Sequence, residues 1–312
     1  MEAHATSQDM QALHIASIGA GSFGRHHARH LSQHPLVGQV TIVDRDGARA
    51  AELAGDLGTA WTSDLASITP DAAVIAVPTE AHRAIAEPLI AKGASVFIEK
   101  PIAGTDTDAA ALVAAAERAG VILQVGHIER FNPAFAALAS QARGVTHIAA
   151  RRHNPPRPVP PVVDVVLDLM IHDIDLALTL AGAMPRTVTA QAPDGGTESA
   201  IATLHFANGV TADLSASRLS PVTERVLTVH DADGVWRADL AAGRLARTAG
   251  GAIAADEAVA PRDNLFTELD EFVRAVLGGP RPTVTGKAGA AALAVAERIR
   301  AAIATSSFQL SA

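Results

Sequence analysis

The sequence predicts two α/β units in tandem: an N-terminal doubly wound parallel sheet, then an open, mostly antiparallel sheet with helices on one face. A glycine-rich turn, Gly19-Ala20-Gly21-Ser22-Phe23-Gly24, stands between an apolar run and a helical segment. Strand-like and helix-like runs alternate up to about Ile128, the rhythm of right-handed βαβ crossovers. The texture then changes to successive β-rich runs divided by Gly or Pro. The division falls at residues 11–128 and 129–312, in keeping with 312 residues and domains of roughly 150.

Leu13 to Ile18 reads as the first buried strand and Gly38 to Val43 as the second, with Arg45 to Leu57 helical between the second and third. Asp71 to Val77 is a continuous apolar run closed by Pro78, as a buried parallel strand would be. Glu80 to Lys92 predicts a helix, Ala94 to Ile98 a strand, Thr105 to Ala119 a helix capped by Thr105, and Val121 to Val125 another strand. In the second unit, Asn132 to Gln141 suits a helix with Pro133 in its first turn, and Val145 to Arg152 a strand. The five prolines between Asn154 and Pro161 forbid regular structure there, and Val165 to Ala181 is helical in period. Strands are expected at Thr187 to Ala192, Glu198 to Ala207, Val210 to Arg218, Arg225 to Asp231 and Val235 to Leu240, with hairpin turns at Asn208-Gly209 and Asp233-Gly234. Helices over Asn264 to Leu277 and Lys287 to Ala304 close the fold, the last one packing back on the first domain.

The glycine spacing has a physical reading. Gly19 permits the tight turn, Gly21 lets a pyrophosphate approach the backbone, and Gly24 lets helix and strand pack closely. The helix N-terminus, opened by Ser22 and Phe23, then offers free N–H groups to phosphates. A dinucleotide is the expected ligand. Asp44 lies twenty residues beyond Gly24, where a carboxylate accepts from ribose hydroxyls, so NAD is expected. The adjacent Arg45 would tolerate a 2′-phosphate, which leaves NADP as the less favoured cofactor.

Composition removes several function classes. No uninterrupted run approaches the roughly 20 apolar residues of a membrane span, and Met1 to Met10 lacks the layout of a signal peptide; a short disordered tail on a cytoplasmic protein is expected. With no cysteine, disulfides, thiolate metal sites and a catalytic thiol are excluded, and with no tyrosine a phenolic acid or base is too. A net charge of −8 argues against a nucleic-acid surface.

Glu99-Lys100-Pro101 stands at the C-terminal end of the strand Ala94 to Ile98, where open α/β folds bind ligands. Lys100 is either a solvated strand end or a donor that favours a substrate alkoxide during hydride loss. Asp168 and His172 lie four apart on a predicted helix, so Asp168 is placed to orient the imidazole and raise its basicity. His172 is then a base for an alcohol proton, or else a satisfied core histidine. Asp173 and Asp175 lie close by, but no metal is expected, since one histidine without a matched second ligand pair makes a poor site. Arg151, Arg152 and Arg157 border or enter the Pro-rich loop, and arginine forks fit phosphate oxygens; a basic strand edge that keeps the sheet soluble is the alternative, most of all for Arg151. His127, with Glu129 and Arg130, is either packing or substrate contact. Trp61 and Trp236 are read as core or interface residues.

These motifs, with Arg25, His27-Ala28 and Pro78-Thr79-Glu80-Ala81-His82, resemble the glucose-fructose oxidoreductase, inositol dehydrogenase and rhizopine catabolism family of NAD(P)-dependent sugar oxidoreductases over nearly the whole chain. The resemblance implies a Rossmann domain, a catalytic pair Lys100 and His172 supported by Asp168, and a nicotinamide and ribose lined by Pro78, Thr79, His82, Glu99 and Lys100. It also implies homodimers or homotetramers formed through the open sheet. Gly126-His127-Ile128-Glu129-Arg130-Phe131-Asn132-Pro133 and the run from Asp168 to Asp175 depart from many members and are similar to a narrower group, the UDP-N-acetylglucosamine 3-dehydrogenases, including those that begin diamino-sugar synthesis for lipid A. The expected activity is therefore oxidation of the 3-hydroxyl of a UDP-N-acetylhexosamine, with His127, Arg130, Arg152 and Arg157 beside the substrate. A dehydrogenase of a free sugar or cyclitol such as myo-inositol is the alternative, and a non-catalytic NAD-binding sensor a third. The sequence leaves open whether Pro101 is cis or trans.

Overall fold

Six parallel strands form the first sheet: β1 (Leu13–Ile18), β2 (Val37–Val43), β3 (Ala60–Thr62), β4 (Ala72–Ile75), β5 (Ser95–Glu99) and β6 (Leu123–Gly126), in the order β3-β2-β1-β4-β5-β6. The computed structural model describes residues 12–158 and 162–309; the expected N-terminal tail, and Pro160 and Pro161, lie outside the described residues. Helices α1 (Ser22–Ser32), α2 (Gly47–Leu57), α3 (His82–Ala91) and α4 (Asp106–Ala119) make the crossovers. Their burial explains the apolar runs, since all four residues of β4 are buried, as a strand covered on both faces requires. Two helix starts are decided by caps. Asp46 accepts from the Arg49 N–H, so α2 begins two residues later than its periodicity predicts, and Thr105 caps α4 as expected. β3 is the one strand of this sheet that the sequence reading missed, being only three residues long and largely exposed at the edge.

Strand order reverses between β1 and β4, and a crevice opens at their carboxyl ends, as ligand-binding α/β sheets do at such a point. Gly19 lies at that point with φ +98°, and a Cβ there would strike the Ala76 carbonyl. Any other residue would be strained and would push the two strand ends apart.

The second sheet has eight strands in the order β14-β13-β12-β11-β7-β10-β9-β8. After α5 (Pro133–Gln141) come β7 (His147–His153), a π-helical turn (Val166–Met170) leading into α6 (Ile171–Ala181), then β8 (Pro185–Gln191), β9 (Ser199–Phe206), β10 (Thr211–Ser217), β11 (Glu224–Asp231), β12 (Gly234–Asp239), β13 (Arg244–Ala249) and β14 (Ala252–Ala258). All neighbours are antiparallel except β7 and β10. The last two strands were not foreseen, because β14 is alanine-rich, acidic and mostly exposed, with no alternating apolar face. Inward residues such as Ile148, Leu204, Leu214, Leu227 and Val229 pack under α6 and the final helix, α8 (Gly286–Gln309), each buried aliphatic contributing about 1.5–3 kcal/mol. Trp236 belongs to this core, whereas Trp61 is exposed.

The two terminal helices tie the sheets together. Leu269, Phe272 and Val273 of α7 (Asn264–Val276) pack with Ile15, Leu31, Val74 and Phe97 of the first sheet's layer. α8 straddles both units, Leu293 in one core and Ala292, Val295, Ala296 and Ile299 in the other. The last helix thus does pack back on the first domain, against α4 and β6, and α7 joins it there against α1.

Candidate active site

The crevice has a phosphate end and a chemical end. At the first, Gly21 is the N-cap of α1 and supplies no side-chain cap, and the first turn of α1 carries no acidic residue, so its N–H groups face the crevice unmet. A Cβ on Gly21 would meet nothing within 4 Å, whereas one on Gly24 would collide with the Gly19 carbonyl. Gly21 therefore leaves room for a ligand, and Gly24 keeps the turn closed. Ser22 and Phe23 are exposed beside it. At the end of β2 the Asp44 carboxylate accepts from the Ala20 N–H (2.8 Å) and the Asp46 N–H (2.9 Å), which fixes its orientation at the rim of a groove of about 450 Å³ between α1 and α2. Arg45 is exposed, and the neighbouring Arg49 lies 3.7 Å from Asp44. Turn, helix end and carboxylate together fit a dinucleotide.

The chemical end begins where β5 stops. Glu99 Oε1 lies 2.7 Å from His27 Nε2, and its other oxygen accepts from the Lys100 N–H. A Cβ on Gly126 of the adjacent strand would crowd the Glu99 carboxylate, so glycine there lets Glu99 keep its bonds to His27 and the Lys100 N–H. The Lys100-Pro101 peptide is cis. Lys100 Nζ donates to the Asp168 carbonyl (2.9 Å), which the π-helical turn presents to it, with Asp168 Oδ1 at 4.0 Å. Burial pushes the Lys100 ammonium below the usual lysine range, Asp168 and Glu99 oppose this, and Arg152 adds to it. His172 is half-buried with Nδ1 unpartnered, and the His127 ring stands edge-on to it at 6.4 Å. Burial first, then the charges of Lys100, Arg152, His127 and Arg225, hold His172 well below its ordinary value. At neutral pH it is an uncharged imidazole.

Several expected contacts are placed elsewhere. Asp168 does not orient His172: the carboxylate turns to Arg218 (3.3 Å) and Lys100, because the π-helical turn breaks the four-residue register that would stack the pair. Arg152 is only 3% exposed, with two bonds to Asp173 (3.0 and 2.8 Å) and one to Glu129 (2.6 Å), so its fork is not free for a substrate. Arg130 grips the buried Asp175 at 2.6 and 3.0 Å, and His127 is buried with neither ring nitrogen bonded. His82 is buried between the Val77 and Pro101 carbonyls (3.0 and 2.9 Å), where it braces two loops and does not line the crevice. Pro78 is exposed and Thr79 half-buried at the crevice edge. Arg157 is exposed on the Pro-rich loop, and Arg151 is exposed too, as its place on β7 beside inward Arg152 requires.

Two charged residues of the site, Arg218 and Arg225, were not singled out in the sequence, and two others, Asp173 and Asp175, were weighed there only as metal ligands. Asp173 and Asp175 supply the buried counterions of Arg152 and Arg130, and Arg218, at the end of β10, forks to Glu198 (3.0 and 2.7 Å) while holding the Val163 carbonyl and Asp168. Arg225, on β11, is opposite Arg152 in register and so faces the same side. Only the two aspartates carried a signal, as acids on the helical run after His172; the arginines are called to the site by strand pairing.

A glycine-rich turn at the switch point of a parallel sheet, with a lysine and a neutral histidine at the sheet's carboxyl edge, defines a dinucleotide-dependent oxidoreductase. The comparisons carry this further. Residues 13–127 match the oxidoreductase family with an NAD-binding Rossmann fold, and residues 146–237 the GFO/IDH/MocA C-terminal domain. The chain is 34% identical over 302 residues to the UDP-N-acetylglucosamine 3-dehydrogenase of Acidithiobacillus ferrooxidans, spanning 92% of this chain and 96% of that protein. The solved structure of that enzyme superposes with a TM-score of 0.87 at 31% identity, covering 93% of this chain and 97% of the other. An inositol 2-dehydrogenase of Rhizobium meliloti is 28% identical over 316 residues, 90% of this chain and 93% of that one. The chain belongs to the glucose-fructose oxidoreductase, inositol dehydrogenase and rhizopine catabolism family of oxidoreductases, and its N-terminal domain is that family's NAD-binding domain. Among the described residues, no helix is long and apolar enough to cross a membrane.

Proposed function

We propose that the protein oxidises the 3-hydroxyl of a UDP-linked N-acetylhexosamine, UDP-N-acetylglucosamine in the first instance, with NAD as hydride acceptor. The observation that carries the chemistry is the convergence of Lys100 and His172 at the end of β5. His172, uncharged at neutral pH, takes the hydroxyl proton as the C–H bond breaks. Lys100, held by the Asp168 carbonyl, donates a hydrogen bond to the oxygen and stabilises its growing negative charge. Bound NAD supplies the acceptor for the hydride. Asp168, anchored by Arg218, keeps the lysine in place, and the buried Arg152 with Glu129 and Asp173 fixes β7 against α6 behind it. A sensor that only bound NAD would need neither member of the pair.

The full-length likeness to a UDP-N-acetylglucosamine 3-dehydrogenase supports the nucleotide sugar, and the inositol dehydrogenases among the relatives support a cyclitol as the second reading. Rates of NAD reduction with UDP-N-acetylglucosamine, free N-acetylglucosamine and myo-inositol decide between them. The nucleotide sugar should have the highest kcat/KM, and preference for either unphosphorylated compound rejects it. Exposed Arg157, on a loop that proline stiffens in advance, is expected to meet the diphosphate, so Arg157→Ala should raise KM for UDP-N-acetylglucosamine with NAD affinity unchanged.

The same reading predicts cofactor preference. Each Asp44 oxygen receives one backbone N–H group and retains acceptor capacity for a ribose hydroxyl. Replacing it by Ala should weaken NAD binding by about 1–3 kcal/mol, measured by titration of the cofactor alone. Tighter binding of NADP than of NAD by the unaltered protein would contradict this. We also place the homo-oligomer contact on the uncovered face of the second sheet, where Ile201 and Thr203 of β9 and Asp213 of β10 lie outward.

A further inference from the structure

Three guanidinium groups belong to the charge cluster around His172 and His127, and they are not equivalent. Arg152 is enclosed by two carboxylates and Arg130 by one. Arg225 has no such enclosure. Its side chain is 44% exposed, and its nearest carboxylate is Glu129 Oε1 at 3.7 Å, an oxygen already bonded to Arg152 at 2.6 Å. Register brings it there: Arg225 pairs with Arg152 across β11 and β7, so the two side chains leave the sheet on the same face, one covered by α6 and the other at its margin. Its charge reaches both His172 and Asp173. An exposed guanidinium within electrostatic reach of the catalytic imidazole, with Glu129 and Asp173 both already bonded to Arg152, is a cation in want of an anion.

We propose that Arg225 is the phosphate anchor of the substrate site, gripping the phosphate on the anomeric carbon of the sugar while Lys100 and His172 act on the hydroxyl. The inference rests on the nucleotide-sugar reading above and deepens it. In a pyranose 1-diphosphate, the anomeric carbon and the oxidised carbon are held apart by a rigid ring. A cation at a fixed place beside the imidazole therefore selects both the presence of the phosphate and the hydroxyl presented. A small cyclitol has no group for Arg225 to hold. Neither Arg152 nor Arg130 can take this role without releasing a buried carboxylate.

Steady-state kinetics of the unaltered protein, Arg225→Met and Arg225→Lys test this, with UDP-N-acetylglucosamine as substrate and UDP as dead-end inhibitor. For Arg225→Met, KM for the nucleotide sugar and the inhibition constant of UDP should both rise by about tenfold or more, kcat should change far less, and NAD affinity should hold. Arg225→Lys, which keeps the charge but not the fork, should recover part of the loss. A structural role would instead lower kcat, NAD affinity and thermal stability together, and that pattern overturns the assignment. Turnover of UDP-N-acetylglucosamine with KM and UDP inhibition unmoved in Arg225→Met rejects Arg225 and leaves the function standing. Failure of the unaltered protein both to use the nucleotide sugar and to bind UDP rejects the two together.

Discussion

Lys100→Met and His172→Ala are each expected to lower turnover by about a hundredfold or more while NAD affinity stays near normal. In the proposed mechanism both side chains act on the hydroxyl oxygen and its proton, whereas the cofactor's phosphates and ribose are expected at the α1 N-terminus and Asp44. Stopped-flow NADH formation and cofactor titration separate the two effects, and ordinary turnover in either variant removes that residue from the mechanism. The pH profile distinguishes their roles. A base must be unprotonated, and burial holds His172 well below the usual histidine value, so the acid limb should lie below about pH 6.5 and turnover should already be full at neutrality. A hydrogen-bond donor must keep its proton, and burial lowers the Lys100 value, so the alkaline limb should fall below the usual lysine range. An acid limb that persists in His172→Ala would assign it to another group.

Arg152→Met should destabilise the fold by about 3–5 kcal/mol, because it strands Glu129 and Asp173, both buried, without their cation. The sign with pH follows from the same pairing. Burial already raises Asp173, with Arg152 as the main opposing influence, so loss of Arg152 raises it further. A carboxyl with a raised folded-state value is penalised above its unfolded value and relieved as pH falls, so the deficit against the unaltered protein should shrink on acidification. Denaturant titrations at two pH values measure it. Arg152→Met combined with Glu129→Gln and Asp173→Asn should regain most of the loss. A direct phosphate contact predicts the opposite pattern: a raised KM with stability unmoved.

The departures from the sequence reading share a cause. Arg152 and Arg157 look alike in the sequence, as arginines flanking a Pro-rich loop, yet one is a buried brace and the other exposed. Strand alternation made Arg152 face inward, but what awaited it there was Asp173 from α6 and Glu129 from before α5, elements that only packing brings to β7. Asp168 and His172 failed as a pair for a similar reason. Four-residue spacing aligns side chains only while the helix is α-helical, and the turn carrying Asp168 is π-helical. His82 belongs to the motif that marked the nicotinamide, but two facing carbonyls claim its ring.

What the sequence determined by itself is whatever depends on local geometry. The glycine turn follows from backbone freedom at Gly19 and the missing side chains of Gly21 and Gly24, the parallel strands from continuous apolar runs, the capped helix α4 from Thr105, and a carboxylate beside the glycine turn from Asp44 at the end of the second strand. Only the tertiary structure decided which charges meet. Register across β7 and β11 puts Arg225 beside Arg152, β10 delivers Arg218 to Asp168, and the π-helical turn hands a carbonyl to Lys100. Ion pairing acts between side chains that are near in space whatever their separation along the chain, and burial raises the penalty for an unpaired charge. Which arginine is left free to hold a substrate is therefore settled by which carboxylates the fold has already given to the others.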